Sequence, residues 1–343
     1  MINSFQHKIL FSILIILMVT LFIFNISLGS VTIPTNEIIK GLIGQRMEKE
    51  SWEIILFQFR FPKAITAVFV GFGLSISGLL MQTLFRNPLA GPYVLGLSSG
   101  ASLGVAFVIL GSTLLPATIA TFFLSSYGLT LASALGSFTV LSAVLIVAKR
   151  LKDTMAILIV GLMFSSFTSA IVSILSYFST AEQLQKYTFW SLGSISNLSW
   201  KEVVILIFLV SFGILLSILV IKPLNALLLG ERYAKSIGVN FKKTRFIIII
   251  ATSVLAGSIT ALVGPIAFIG LAIPHMAKLF FKTSNHSILL FGTLLLGGIL
   301  MLICDSIAQL PGSDLTLPIN AITSIFGAPI IIWLLVRKRK IQL

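Results

Sequence analysis

The sequence predicts an all-α, polytopic membrane protein with about ten transmembrane helices and both termini on the cytoplasmic side. Three observations carry this. Apolar runs close to twenty residues recur along the whole 343-residue chain, which is 57% hydrophobic with a mean hydropathy of +1.08. A bilayer core asks for about 20 apolar residues per helix. Only 10% of the residues are charged, against about 25% in a soluble domain. The net charge of +14 is unevenly placed: with the N-terminus inside, the inner side holds 17 Lys and Arg, counting Lys278 near the inner end of its span, against two acids, Asp153 and Glu231. The outer loops hold seven residues of each sign, and Asp305 falls within a span. This is the positive-inside distribution, so the basic charge belongs to membrane topology and not to nucleic acid. Transmembrane strands would alternate over shorter segments than these.

The spans are expected at 9–28, 64–84, 93–111, 121–148, 155–178, 203–221, 246–263, 265–281, 288–309 and 317–336. The first follows His7 and Lys8 as a signal peptide would, but it is long for one and lacks an Ala-x-Ala site. The outer loop before span 2 ends in Arg60-Phe61-Pro62-Lys63, and Pro62 is expected to open that span, because proline suits a first helical turn. After span 2 comes Arg86-Asn87-Pro88-Leu89-Ala90, where Asn and Pro favour a turn. Span 3 places Gly96, Gly100 and Gly104 on one face, which lets another helix approach closely. Span 5 carries Gly161, Ser165, Ser166 and Ser169, a small-residue surface suited to a pore or a partner.

Beyond span 6, Gly230 and Gly238 bracket a short charged helix within residues 227–239, by itself an ordinary interfacial helix. Gly264-Pro265 forces a turn between spans 7 and 8. His275, after Pro274, reads as the only histidine within a span and as a hydrogen-bonded packing residue, since one histidine without further ligands is no metal site. Asp305 near the outer end of span 9 raises ion coupling, the usual meaning of an intramembrane carboxylate. The lone Cys304 excludes an internal disulfide framework. Gly is nowhere followed directly by Lys, so a phosphate-binding Walker loop is absent, as is His-Glu-x-x-His. The longest extramembrane segments, about 29–63, 179–202 and 222–245, are too short for a core of their own. Residues 1–343 therefore read as a single domain.

Residues 78–101, running from Gly78 through the Arg86–Ala90 turn to Ala101, resemble the permease subunits of ABC importers for iron-siderophores, haem and cobalamin. Further landmarks are Trp190-Ser191-Leu192-Gly193-Ser194, the segment Gly264 to Leu271, Leu317-Pro318-Ile319-Asn320 and Gly327-Ala328-Pro329, so the resemblance covers nearly the whole chain. It implies a transport subunit in a bacterial cytoplasmic membrane and not an enzyme. No cofactor is expected on this chain; ATP and Mg belong to a separate ATPase, present in two copies. A second permease copy or close paralogue and an extracytoplasmic binding protein complete the expected assembly, with an iron chelate as the favoured cargo.

The same resemblance implies residue roles. Leu227, Gly230, Glu231, Arg232, Ala234 and Gly238 fall on the helix that engages the ATPase. Arg60 and Lys63 fall where outer arginines dock the binding protein, with Lys for the usual Arg at 63 and Gln309 where Arg is common. Asn87, Leu89 and Thr154 are gate positions at the cytoplasmic mouth. Ser165 and Ser169 are placed on the translocation path by their small-residue face. The rival reading is an ion-coupled secondary transporter that uses Asp305, which leaves the 227–239 helix unexplained.

Overall fold

Ten apolar helices occupy the ten expected intervals in the computed structural model, which describes residues 4–112, 116–148, 151, 154–309 and 316–339. All regular structure among these residues is helical. In chain order, α1 is Ser4–Ser27, α2 Thr35–Leu42, α3 Glu50–Ile54, α4 Phe61–Phe85, α5 Leu97–Ile109 and α6 Ala117–Phe123. Next come α7 Ser126–Ala148, α8 Thr154–Tyr177, α9 Ala181–Ser191, α10 Trp200–Leu219 and α11 Ile221–Leu228. The chain ends with α12 Glu231–Ser236, α13 Phe241–Val263, α14 Ile269–Phe281, α15 His286–Ala308 and α16 Ile319–Arg339. Seven helices are long and apolar enough to cross a membrane, and α5, α14 and α16 supply shorter apolar stretches.

The centre of the bundle is α4, whose apolar window is 83% buried, flanked by α13, α14 and α15. Small residues make this possible. A Cβ on Gly71 would fall on the Gly297 backbone of α15, and one on Gly78 would fall on the Gly270 carbonyl of α14. Close backbone approach of this kind holds helices together where no hydrophobic gain separates protein from lipid. By contrast α1 and α8 bury only 17% of their apolar windows, so their outer faces meet lipid or another chain.

Three expectations need correction. Pro62 does not open its helix. α3, a π-helical segment over Ile55–Arg60 and α4 form one continuous 36-residue helix, Glu50–Phe85. The π segment is what admits the proline: Phe61 N–H already bonds back to Leu56 O, and Pro62 has no N–H to give. The Phe57 carbonyl so released accepts a hydrogen bond from Trp200 Nε1 of α10 at 2.9 Å. Gly96 is not on the helical ladder; it sits at φ 78 between a 3₁₀ turn over Pro92–Leu95 and α5. All three glycines nevertheless face α7, Gly96 at Val140, Gly100 at Gly136 and Gly104 at Ala132. Finally, His275 is not the only histidine in a span. α1 includes His7, and α15 starts at His286 because Asn285 caps it, its side chain accepting from Ser287 N.

Candidate functional site

At the inner end, α11 and α12 form an elbow. Gly230 at φ 112 and Gly238 at φ 87 lie in the positive-φ region that favours glycine, one on each side of α12. Ala234 between them is fully buried, and packs with Ala226, Leu227, Val239 and Phe241. A larger side chain at 234 would lift α12 off α13. Buried anchors on one side leave Leu228, Leu229, Tyr233 and Ile237 exposed on the other, Leu229 at 66%. An exposed apolar patch of this kind on a basic surface has the character of an interaction surface. The side chains of Glu231 and Arg232 lie outside the described residues.

Beside the elbow stands the Arg86–Ala90 turn. Arg86 ends α4 in the left-handed conformation, φ 48, and its Nη2 donates to Leu227 O at 3.1 Å. Asn87 Oδ1 accepts from Leu89 N at 2.9 Å, closing an Asx turn that leaves Leu89 exposed. From the other side, His275 Nε2 lies 2.8 Å from Pro88 O, tying the turn to α14. The turn is therefore gripped by α11 and α14 together. Thr154 opens α8, and its side chain lies outside the described residues.

On α8, Ser165 and Ser169 part company. Ser165 is half-buried and accepts from Ser99 Oγ of α5 at 3.1 Å, which makes it part of the α5–α8 contact. Ser169 is exposed on the open face. The stretch Gly96-Leu97-Ser98-Ser99-Gly100 has the spelling of a Gly-x-Ser-x-Gly nucleophile elbow, but that elbow needs a strand-to-helix turn. Here a 3₁₀ turn leads into α5.

At the outer end, Arg60 and Lys63 are anchors within the fold. Arg60 is 8% exposed; its Nη1 donates to Ile26 O and Ser27 O, each at 3.1 Å, and its Nη2 donates to Val31 O. It therefore caps the carboxyl end of α1, whose last carbonyls have no helical partner. Lys63 Nζ lies 3.1 Å from Asp305 Oδ1. Asp305, 1% exposed, also accepts from Asn25 Nδ2 at 2.8 Å and Gln309 Nε2 at 2.9 Å. Gln309 thus serves the carboxylate, where an arginine would compete with Lys63 for it. Two open clefts of ≈ 270 and ≈ 320 Å³ adjoin this cluster, both lined in part by Lys63. Docking through Arg60 and Lys63 would require these internal contacts to be exchanged for a partner's carboxylates. Sequence reasoning missed both roles, because a cation beside a proline in an outer loop reads as solvated.

The landmark segments, far apart in sequence, meet in one outer knot. Ser194 N donates to Val263 O at 2.8 Å, Ala267 N donates to Asn320 Oδ1 at 3.0 Å, and Gly327 packs against Phe268. The knot fixes the start of the short helix α14 inside the bundle.

Known proteins resemble this chain along nearly its whole length. The model of the FecCD transport family matches residues 16–337. The hemin transport system permease protein HmuU of Yersinia pestis is 30% identical over 98% of this chain and 97% of its own length. The vitamin B12 import system permease protein BtuC of Klebsiella pneumoniae is 34% identical over 97% and 95%. Among solved structures, an inward-facing metal-chelate type ABC transporter superposes with a TM-score of 0.82, at 30% identity over 96% of this chain and 99% of its own. PsaBC from Streptococcus pneumoniae, at 17% identity and a TM-score of 0.57, shares the fold.

Proposed function

The chain belongs to the FecCD transport family, and on that premise we propose that it is the permease subunit of an ATP-driven importer that brings an iron chelate into a bacterial cytoplasm. Its relatives carry hemin and vitamin B12 by name, both large metal chelates, which supports this cargo class over free ions. The observation that carries the reading is the α11–α12 elbow. It is rigid on its buried side through Ala234 and apolar on its exposed side through Leu228, Leu229, Tyr233 and Ile237. This is the surface on which a separate ATPase, with its own ATP and Mg, would push. Leu227, Gly230, Glu231, Arg232, Ala234 and Gly238 make up the coupling segment. Asn87, Leu89 and Thr154 form the inner gate, with Arg86 binding gate to elbow.

The exposed faces of α8 and α16 receive a second permease copy, and Ser169 lies beside the axis between them; Ser165 stands behind it. An extracytoplasmic binding protein docks at the outer end. Asp305 gives no support to the ion-coupled alternative, since its charge is matched by Lys63 and its oxygens are occupied.

The test is affinity purification from native membranes in mild detergent, with mass spectrometry of what co-purifies. Co-purification of an ATPase at equal stoichiometry, abolished by Tyr233→Asp together with Ile237→Asp, is the expected result. Recovery of the chain without an ATPase, even after crosslinking, overturns the proposal.

A further inference from the structure

One buried side chain at the inner end belongs to none of the sites above. His286, the first residue of α15, is 1% exposed and sits where three elements meet. Its Nδ1 lies 2.9 Å from Asn225 Oδ1 of α11, and its Nε2 lies 2.9 Å from Thr83 Oγ1 of α4. The proton on the ring follows from the other bonds. Asn225 Oδ1 already accepts from His286 N at 2.7 Å, while Asn225 Nδ2 donates to Asn285 Oδ1 at 3.0 Å. The atom facing Nδ1 is therefore an acceptor, so Nδ1 carries the hydrogen. Nε2 is then free to accept from the Thr83 hydroxyl, which also lies within reach of Leu79 O at 2.9 Å.

Thr83 is three residues before Arg86, in the last turn of α4. Asn225 is two residues before Leu227, in the last turn of α11. The elbow and the gate turn are thus joined twice: at the rim by Arg86 to Leu227 O, and in the interior by Asn225, His286 and Thr83. The two ties differ in what it costs to break them. Arg86 is exposed and can exchange its partner for water. The imidazole cannot, because a buried polar group without a partner loses its full desolvation free energy. Moving α11 away from α4 would leave the buried imidazole without either Asn225 or Thr83, so the interior tie resists separation of the two helices.

We infer that His286 is the positioning residue that makes the α11–α12 elbow and the Arg86–Ala90 turn a single lever. Displacement of the elbow then reaches the gate without being absorbed between the two helices. This rests on the proposed coupling and gate roles, and adds the connection between them.

The test uses the full chain with its ATPase and binding protein, reconstituted in liposomes. His286→Phe keeps the ring and removes both side-chain bonds; Thr83→Val removes one bond and is the milder variant should the first fail to fold; His286→Gln restores a donor and an acceptor. The first readout is substrate transported per ATP hydrolysed. The expected result is a loss of at least about fivefold in His286→Phe, in line with a coupling energy of ordinary size, a smaller loss in Thr83→Val and partial rescue in His286→Gln. The second is the distance between spin labels on Leu89→Cys and Ser236→Cys, an exposed α12 position outside the docking patch, through the nucleotide cycle; Cys304 is buried and will not compete for label. It should stay fixed when His286 is present and broaden in His286→Phe. An unchanged transport ratio and an unchanged distance in folded Thr83→Val and His286→Phe overturn the inference and leave His286 a packing residue. If the unmodified chain binds no ATPase, the functional proposal itself has failed, a result distinct from either.

Discussion

Arg60 and Lys63 carry charge for the fold, and their removal should register as lost stability before any change in docking. Arg60 holds three backbone carbonyls in a planar fork that lysine cannot reproduce. Arg60→Lys is therefore expected to lower the melting temperature in detergent, at a cost of about 1.5–3 kcal/mol for each bond lost to a charged donor. Lys63→Met leaves the Asp305 carboxylate buried without its cation, a change that costs about 3–5 kcal/mol in buried pairs. Adding Asp305→Asn should recover most of that loss, since the amide oxygen still accepts from Asn25. If the double variant is no more stable than the single one, the pair has been misassigned. At this scale the sequence is only partly readable. Gly230 and Gly238 are legible as the glycines that bracket a short helix, whereas a coupling role for that helix is implied only by the family resemblance. The Lys63–Asp305 and Thr83–His286 pairs do not, because nothing local to either partner specifies a contact more than two hundred positions away.

At the scale of elements, the positions of the apolar helices follow from hydropathy, but their internal irregularities depend on distant donors. The π segment before Pro62 needs an N–H for Phe57 O, and Trp200, 143 residues away, supplies it. Trp200→Phe is expected to cost about 1–3 kcal/mol for the orphaned carbonyl, with faster hydrogen exchange around residues 55–61 as the measurement. Gly78→Ala should separate α4 from α14 and abolish assembly in the membrane, because the new methyl would lie on the Gly270 carbonyl. In the outer loop, the Lys40 ammonium and the Glu48 N–H hold the Glu37 carboxyl below the usual carboxylate range. Its pKa is lowered in the folded state, so its contribution is present above the unfolded value and is lost as pH falls through the folded one. The protection of the amides over residues 35–50, taken against the intrinsic exchange rate at each pH, should therefore fall on strong acidification and stay flat between neutral pH and the ordinary carboxylate range.

For the whole molecule, the outward faces of α8 and α16 are where the proposed second copy would sit. Met163, Phe167 and Ile174 on α8 and Ile325 and Ile332 on α16 are all exposed. If a second copy covers them, Ser169→Cys should form an interchain disulfide under mild oxidation, with Cys304 too deeply buried to interfere. Failure to crosslink from any exposed α8 position would place lipid there instead. This level was legible in outline: charge asymmetry fixed the orientation of the bundle, whereas which faces meet lipid and which meet protein is a property of the assembled helices.

The brevity of α14 bears on how the chain enters a membrane at all. Its 13 residues rise about 20 Å, short of a hydrocarbon core about 30 Å thick, and the non-helical backbone at 264–268 before it is tolerable only when enclosed by protein. Such a segment has no stable place in lipid during synthesis until Asn320 arrives to take up the Ala267 N–H. α13 through α16 are thus expected to settle together, and a nascent chain halted before residue 320 should be a substrate for membrane quality-control proteases.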